Sequence, residues 1–172
     1  MKTVEIRETT KAEIVQILAL YPLAFPEEEL RPLVTALIEY ETGILSLASF
    51  DMGQMLAHVI FTHIGTSEEN GIGALLGPLC VLPEKQRLGL GTQIVRDGLA
   101  RLERSAVRQV FVLGDPDYYG RFGFQPERHV LPPYELPAEW SDAWQSMVLT
   151  GRQPLAPGRC SMPAPWMDPA LW

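Results

Sequence analysis

The most informative part of the chain is residues 79–91, LCVLPEKQRLGLG, in which an apolar segment of strand length leads into a loop with two glycines. An amphipathic helix follows, and the unpaired N–H groups and positive dipole end of a helix start bind anions such as phosphate. Gly89 and Gly91 allow a ligand to approach the backbone because neither residue carries a Cβ. Lys85 or Arg87 adds positive charge. The sequence therefore predicts an anion-binding turn between a strand and a helix.

The glycine spacing of this loop also has a purely structural interpretation, because two glycines suffice for a tight turn between a strand and a helix. The loop is not a P-loop, since no Gly-Lys-Ser/Thr sequence follows it. It is an incomplete dinucleotide-binding motif as well, because Ile94 stands where a third glycine would be expected. The neighbouring elements must therefore distinguish a binding loop from a simple turn.

The segments before the loop predict a strand, two helices and three more strands. Val4–Ile6 alternates like a strand, and Thr9 or Thr10 offers a cap for the first helix. Residues 26–29, Pro-Glu-Glu-Glu, are typical of a helix start, with proline in the first turn and acids near the positive end of the dipole. Three later segments have strand-like apolar residues and predict an antiparallel meander: 44–50, 55–64 and 72–82.

The segments after the loop predict a helix, a strand and an irregular extension. Apolar residues fall on one helical stripe from Gly89 to about residue 106. Gln109–Leu113 is a continuous apolar run, typical of a strand covered on both faces, and a helix between two strands predicts a parallel crossover. From Pro126 onward the chain holds all four tryptophans and most of its fifteen prolines, which predicts an ordered extension with short strands near 146–149 and 160–164.

Composition places the chain among globular proteins, with 47% hydrophobic and 20% charged residues in a length of 172. We expect a single domain, with a core over residues 1–126 and a Pro/Trp-rich extension over residues 127–172. The formal charge of -7 disfavours nucleic acid and anionic membrane surfaces as partners. Two cysteines without a paired spacing predict neither a disulfide framework nor a metal site. With no signal or membrane-spanning segment in the sequence, they favour a cytoplasmic location.

Residues 112–124, VLGDPDYYGRFGF, form the second informative motif. Asp115 is a good N-cap, Pro116 fits the first helical position, and Gly123 can adopt the left-handed conformation that ends a helix. The motif therefore predicts a short helix just beyond a strand end, with Tyr118 and Tyr119 early in that helix.

Both motifs resemble those of a known family. Gln86-x-x-Gly89-x-Gly91, placed after a fourth strand, is similar to the acyl-CoA motif of the GNAT superfamily of N-acetyltransferases. Residues 112–124 resemble the strand, short helix and Gly-Phe of its bacterial YhbS-like branch, so that the resemblance covers residues 3–126. It implies a mixed α/β fold whose central, mostly antiparallel sheet of about six or seven strands is flanked by helices. It also implies transfer of an acetyl group from acetyl-CoA to a primary amine, by direct attack in a ternary complex and without a metal ion.

The resemblance assigns roles to three groups of residues. A splayed strand edge at Leu79, Cys80 and Val81 is implied to pair with the pantetheine arm, where one backbone N–H polarises the thioester carbonyl. The loop implied to hold the pyrophosphate comprises Gln86, Arg87, Leu88, Gly89, Leu90, Gly91 and Thr92. The tyrosine four residues before the Gly-Phe glycine, Tyr119, is implied to protonate the departing CoA thiolate. Because Cys80 lies in an apolar strand with no visible His or Asp partner, we expect its thiol to be buried and inert.

Tyr119 has two interpretations. With reference pKa values of about 10 for tyrosine and about 8.5 for a thiol, complete proton transfer is uphill by roughly 2 kcal/mol. Hydrogen-bond donation to the developing thiolate is therefore the more economical catalytic role. The alternative is that Tyr118 and Tyr119 merely pack the short helix against the sheet.

The sequence does not single out a general base. A lysine-like amine with a pKa of about 10.4 is almost entirely protonated at pH 7, a handicap of roughly 4.6 kcal/mol that a base must offset. The candidates lie in the second helical segment, the third strand and the connection that follows it: Glu27, Glu28, Glu29, His58, His63, Glu68 and Glu69. Each also has an ordinary interpretation as a solvated carboxylate or a hydrogen-bonded histidine.

Two other functions stay open at this stage. One is a non-catalytic acyl-CoA sensor that keeps the loop but transfers nothing. The other is a structural protein that forms a homodimer through exposed tryptophans. For an enzyme, the acceptor amine is not identified, and a polyamine, an antibiotic, an amino acid and a protein N-terminus all fit.

Overall fold

The computed structural model describes residues 3–40, 42–68 and 72–172. Its strands are β1 (Glu5–Glu8), β2 (Ile44–Asp51), β3 (Gln54–Thr66), β4 (Gly73–Val81), β5 (Gln109–Leu113), β6 (Gln125–Pro126), β7 (Val130–Leu131), β8 (Trp144–Val148) and β9 (Gly158–Ser161). Its α-helices are α1 (Ile14–Ala24), α2 (Arg31–Tyr40), α3 (Leu90–Glu103) and α4 (Pro116–Tyr119). They form the predicted mixed α/β fold, in which helices flank a mostly antiparallel sheet.

The chain divides into two compact units. Unit 1 comprises the residues up to Phe61 together with Gly77–Arg101, and unit 2 comprises Thr62–Leu76 together with Leu102–Trp172. β3 and β4 belong to both units, because a boundary falls within each of these strands.

Unit 1 contains β1, α1, α2, β2 and most of α3, with the adjoining parts of β3 and β4. β1 pairs antiparallel with β2, and Glu5 stands opposite Phe50. Met52 and Gly53 connect β2 to β3 with φ angles of 49° and 82°, the left-handed pair that a two-residue hairpin turn requires. The two helices predicted between the first two strands, α1 and α2, are both present.

The second of these helices begins later than predicted. Residues 26–29 precede the helix, and α2 begins at Arg31. Its first N–H is capped by Glu29, whose Oε1 accepts a hydrogen bond of 3.0 Å from the backbone of Arg31. Pro32, rather than Pro26, occupies the first turn, where a missing N–H removes no intrahelical hydrogen bond. The predicted helix start at residues 26–29 is therefore wrong, because the first turn of α2 contains Pro32 instead.

The apolar stripe of α3 is buried as predicted, at Leu90, Ile94, Val95 and Leu99. The same helix approaches β3 closely at Gly98, where a Cβ would lie 2.2 Å from Cε2 of the Phe61 ring. This contact fixes the depth at which α3 lies on the sheet, and with it the position of the loop that precedes the helix.

Unit 2 is organised around β5. β4 pairs parallel with β5, from Gly73 opposite Gln109 to Leu76 opposite Val112, which confirms the predicted crossover. β8 pairs antiparallel with both β5 and β6, while β9 pairs with the end of β3 and with β7. The described residues form nine strands rather than six or seven. β6 and β7 have two residues each, too few to show a periodicity in the sequence.

The buried carboxylate of Glu127 links the start of the C-terminal extension to β5 and β8 through hydrogen bonds. Glu127 Oε1 accepts hydrogen bonds from Gln109 Nε2 at 3.1 Å and from Ser146 Oγ at 2.6 Å. Glu127 Oε2 accepts from the backbone N–H groups of His129 and Val130, both at 2.8 Å. Four donors therefore satisfy a carboxylate that would be costly to bury alone.

Two tryptophans of the extension lie inside the fold and are therefore not among the exposed tryptophans that the structural alternative requires. Trp144 and Trp166 are buried. Trp144 Nε1 donates to the carbonyl of Val130 at 2.8 Å, and Trp166 Nε1 donates to Thr62 Oγ1 at 3.1 Å. Trp140 remains 45% exposed. None of the helices in the described residues combines the length and the apolar character that a membrane span needs.

Candidate functional site

The loop before α3 has the backbone conformation of an open turn. Arg87 and Gly89 both have left-handed φ angles, 62° and 85°. Residues 86–89 are exposed, and a Cβ placed on Gly89 would find nothing within 4 Å. A left-handed conformation costs a non-glycine residue roughly 1–2 kcal/mol, so the fold holds Arg87 in an uncommon conformation at this position.

The amides that follow this loop belong to the first turn of α3. The first intrahelical hydrogen bond runs from the backbone N–H of Gln93 to the carbonyl of Gly89 at 3.0 Å. Leu90, Gly91 and Thr92 therefore contribute the N–H groups of the first helical turn, the end of a helix that presents backbone donors to an anion. With the positive end of a 14-residue helix behind them, these amides form an anion-binding geometry.

The end of β4 lies beside this loop. The register between β4 and β5 ends at Leu76, while β4 continues through Leu79, Cys80 and Val81. Gln86 Nε2 donates a hydrogen bond of 3.2 Å to the carbonyl of Val81, which joins the loop to the strand end. The structure therefore brings the predicted strand segment and the predicted loop together within unit 1.

Cys80 is buried, as predicted, with 2% of its surface exposed. Burial raises the pKa of its thiol to about 12, so the thiolate is scarcely populated near neutral pH. The hydroxyl of Tyr21 interacts with this thiol and also lies 3.4 Å from the carbonyl oxygen of Pro78 in the same strand. These contacts support a structural rather than a nucleophilic role for Cys80.

His58, one of the base candidates, is the centre of a buried hydrogen-bond network. Its Nδ1 lies 2.7 Å from the Tyr21 hydroxyl, and its Nε2 lies 2.7 Å from Ser46 Oγ. Thr9 Oγ1 donates to the same Ser46 oxygen at 2.7 Å. Burial lowers the pKa of His58 to about 3. A histidine with both nitrogens engaged and so low a pKa is a poor base for an amine.

Tyr21 and Ser46 were not predicted from the sequence, because only the folded chain brings them to His58. Tyr21 is 37 residues from His58, and Ser46 is 12 residues from it. In the sequence, Tyr21 is one apolar position of the first helix, and Ser46 is a polar residue within an apolar strand. Neither residue type carries a local signal for such a network.

The other base candidates are spread over both units. Arg31 lowers the pKa of Glu29 to about 2 through a side-chain hydrogen bond, so Glu29 is a weak base. Glu27 and Glu28 are exposed in the segment before α2. His63 and Glu68 lie in unit 2, and both residues are exposed. The part of the His63 side chain that is buried lowers its pKa. Glu69 lies outside the described residues.

Tyr119 occupies the predicted short helix of unit 2. Asp115 Oδ1 accepts a hydrogen bond of 2.9 Å from the N–H of Asp117, and Pro116 begins α4. A 3₁₀ turn continues the helix until Gly123, whose φ of 103° is left-handed. The predicted cap, proline and terminating glycine are therefore all confirmed.

Aromatic rings surround the Tyr119 side chain. Its ring meets Tyr118 edge-on at a centroid distance of 4.9 Å and meets Phe124 edge-on at 5.9 Å. Burial, with a smaller contribution from Tyr118, raises the pKa of Tyr119 well above its usual value. Tyr118 itself is held by Arg121, whose guanidinium lies 4.4 Å from the ring centroid. Tyr119 therefore keeps its proton at neutral pH and is able to act as a hydrogen-bond donor.

The residues that the structure describes contain no cluster of three or more His, Cys, Asp or Glu side chains suited to a metal ion.

Comparison with known proteins gives two groups of relatives. The chain is 32% identical over 164 residues to the uncharacterized N-acetyltransferase YjhQ of Escherichia coli strain K12, covering 90% of this chain and 91% of that protein. It is 33% identical over 103 residues to the uncharacterized N-acetyltransferase YhbS of the same strain, covering 58% of this chain and 59% of YhbS. The chain matches no family model.

Solved structures agree with these relatives. The GNAT family N-acetyltransferase YhbS of Escherichia coli, in complex with CoA, matches with a TM-score of 0.84 and 25% identity, covering 98% of this chain and 94% of that one. A GNAT family acetyltransferase from Brucella melitensis, in complex with acetyl-CoA, matches with a TM-score of 0.74 and 27% identity, covering 96% of this chain and 99% of that one. Together with the similarity to YjhQ over nearly the whole length, these matches place the chain in the GNAT family of N-acetyltransferases.

Proposed function

We propose that this protein transfers the acetyl group of acetyl-CoA to a primary amine by direct attack in a ternary complex. The observation that carries the proposal is the open loop at the start of α3, where left-handed Arg87 and Gly89 precede the first-turn amides. The solved relatives with bound CoA or acetyl-CoA support the same donor. The two free, buried cysteines suit a reducing cytoplasm.

In this proposal the pyrophosphate of the donor binds the loop and helix start of unit 1. The contributing residues are Gln86, Arg87, Leu88, Gly89, Leu90, Gly91 and Thr92. Their amides supply neutral donors, and the exposed Arg87 side chain supplies positive charge to a protein whose formal charge is -7. The pantetheine arm pairs with the backbone of Leu79, Cys80 and Val81, the part of β4 that continues beyond its register with β5.

The chemical step forms one bond and breaks one. The neutral amine nitrogen attacks the thioester carbonyl carbon, the C–S bond breaks, and the products are an acetamide and CoA. The amine loses a proton to a base or to water, and the CoA sulfur ends with a proton. Binding and orientation of both substrates supply much of the acceleration, and no covalent enzyme intermediate is required.

Tyr119 is proposed to stabilise the departing sulfur by donating a hydrogen bond from its phenol. Its raised pKa makes complete proton transfer to a thiolate less favourable than for an ordinary tyrosine, whereas hydrogen-bond donation persists at every ordinary pH. Among the base candidates, the low pKa values of His58 and Glu29 disfavour both residues. Glu27, Glu28, His63, Glu68 and Glu69 are the remaining candidates for the base.

The proposal is tested by calorimetry with CoA and by release of free CoA from acetyl-CoA across a panel of primary amines. We expect saturable CoA binding and amine-dependent CoA release. A folded protein that does not bind CoA contradicts the donor site. Binding without release on any amine would instead favour the non-catalytic sensor, and the amines that support release would define the acceptor class.

A further inference from the structure

Gly114 lies directly against the ring of Tyr119. It connects the end of β5 to the capping residue of α4. A Cβ at Gly114 would stand 2.4 Å from Cε2 and 2.9 Å from Cδ2 of Tyr119, distances that real Cβ atoms essentially never show. The φ of Gly114 lies outside the left-handed range, so its backbone does not require glycine. Position 114 therefore requires glycine because there is no space for a side chain beside the Tyr119 ring, and not because of its backbone conformation.

The backbone at Gly114 is held from two sides. Its N–H donates to the carbonyl of Ala143 at 2.9 Å, and its own carbonyl accepts from Gln145 Nε2 at 3.0 Å. Both partners lie at the start of β8 or immediately before it, so the glycine cannot withdraw from the ring without breaking these bonds. A side chain at position 114 must therefore displace the tyrosine.

The Tyr119 ring has other rings around it. Besides Tyr118 and Phe124, Phe122 lies at a centroid distance of 6.2 Å. Gly114 and these three aromatic rings therefore surround the Tyr119 ring. Together they determine where the phenol hydroxyl lies.

We propose that Gly114 is a positioning residue for Tyr119: by lacking a side chain, it sets the location of the phenol that is proposed to donate a hydrogen bond to the leaving sulfur. This inference rests on the role given to Tyr119 in the proposed function. Gly114 is not proposed to contact a substrate, and its effect on the reaction passes through the tyrosine ring.

Gly120 provides a matched control. It follows Tyr119 directly and has a helical φ of -55°. A Cβ at this position would find nothing within 4 Å. Gly120→Ala therefore adds the same methyl group next to the same tyrosine in sequence, but without contact with its ring.

The test compares Gly114→Ala, Gly120→Ala, Tyr119→Phe and the double variant Gly114→Ala/Tyr119→Phe, with acetyl-CoA and an amine that supports CoA release. We expect Gly114→Ala to lower kcat by roughly 10- to 100-fold, the range that a misplacement near 1 Å can cause, with little change in the Kd for CoA. Gly120→Ala should leave kcat unchanged. In the Tyr119→Phe background, Gly114→Ala should add little, because the hydroxyl that it misplaces is already absent.

Two results overturn the inference. One is a folded Gly114→Ala protein with wild-type kcat, and the other is an equal loss from Gly114→Ala in both the wild-type and the Tyr119→Phe backgrounds. The role of Tyr119 in the proposed function fails separately, if Tyr119→Phe retains wild-type kcat. The donor site also fails separately, if calorimetry detects no CoA binding.

Two further measurements keep the inference testable without a turnover assay. In protein labelled with ¹³C at the tyrosine ring, Gly114→Ala should shift the Tyr119 resonance and Gly120→Ala should not. If Gly114→Ala does not fold, Gly114→Ala/Tyr119→Ala should fold as well as Tyr119→Ala, because the obstructing ring is gone. An unshifted Tyr119 resonance, or a double variant that also fails to fold, contradicts the contact on which the inference depends.

Discussion

The hydroxyl of Tyr21 lies 2.7 Å from Nδ1 of His58, a contact between α1 and β3 that closes a buried network within unit 1. The same hydroxyl interacts with the thiol of Cys80, in the segment of β4 proposed to bind the pantetheine arm. With Ser46 of β2, the network therefore connects four elements of unit 1: α1, β2, β3 and β4. The protonation state of His58 therefore affects the stability of the fold around the β4 segment that is proposed to bind the pantetheine arm.

Stability should fall as the pH drops below the usual pKa of histidine. Burial holds the pKa of His58 at about 3 in the folded protein, below the unfolded value of about 6.5, so only the unfolded chain takes up this proton between those values. The stabilisation is fully present above about pH 6.5, and roughly 2 kcal/mol of it should be lost between pH 7 and pH 5.

The measurement is urea unfolding of wild type and His58→Gln at both pH values. The variant should lack this part of the pH dependence, and His63→Gln, which alters an exposed histidine, should keep most of it. Identical pH profiles for wild type and His58→Gln would contradict the buried, neutral imidazole.

Local sequence signals predicted the parts of the fold that depend on neighbours in the chain. The strand Gln109–Leu113 was placed to the residue, and the cap, proline and terminal glycine around α4 were correct, because each depends on a few adjacent residues. The predicted start of α2 was wrong, since a proline followed by acidic residues fits a helix start at 26–29, whereas the helix begins at Arg31.

Contacts that exist only in the folded chain had no such signal. In the sequence, Gly114 is one glycine between a strand and a helix cap, and no residue pattern shows that the Tyr119 ring lies against it. The four donors around Glu127 come from three separate segments of unit 2, and no short-range pattern anticipates them. The division into a core to residue 126 and an extension beyond it, like the roles of the candidate site residues, stays a prediction.

Glu127→Gln should destabilise the protein by about 3 kcal/mol, since hydrogen bonds to a charged group contribute about 1.5–3 kcal/mol each. In addition, the amide NH₂ of glutamine is itself a donor, so it cannot accept the hydrogen bonds that one of the two carboxylate oxygens accepts. Glu139→Gln makes the same charge change at an exposed residue and should alter the free energy of unfolding by less than about 0.5 kcal/mol. Urea unfolding at pH 7 measures both. If both variants changed the free energy of unfolding equally, the hydrogen bonds of the Glu127 carboxylate would not stabilise the extension.

Ser49→Ala should stabilise the protein by about 1 kcal/mol, because the wild-type hydroxyl is completely buried and has no hydrogen-bond partner among the described residues. Ser46→Ala is the contrasting variant in the same strand. It removes a hydroxyl bonded to His58 and Thr9, and it should destabilise the protein by about 1–3 kcal/mol. Thermal unfolding distinguishes the two, and a loss of stability in Ser49→Ala would reveal a partner for that hydroxyl.

Gly89→Val should weaken CoA binding at least roughly tenfold, a change of about 1.4 kcal/mol. Valine is strained at the φ of 85° and places its side chain on the open side of the loop, where the pyrophosphate is proposed to approach. Gly53→Val is the matched control. Gly53 has a φ of 82° and equally open surroundings, but it lies in the hairpin between β2 and β3.

Both valine variants should lose similar stability, so only a difference in CoA affinity reports on the loop. Calorimetry with CoA measures this affinity, and Gly53→Val should bind CoA as the wild type does. If Gly53→Val weakened binding as much as Gly89→Val, the loss would follow from general destabilisation. If a folded Gly89→Val protein bound CoA normally, the pyrophosphate would have to lie elsewhere than against the amides that open α3.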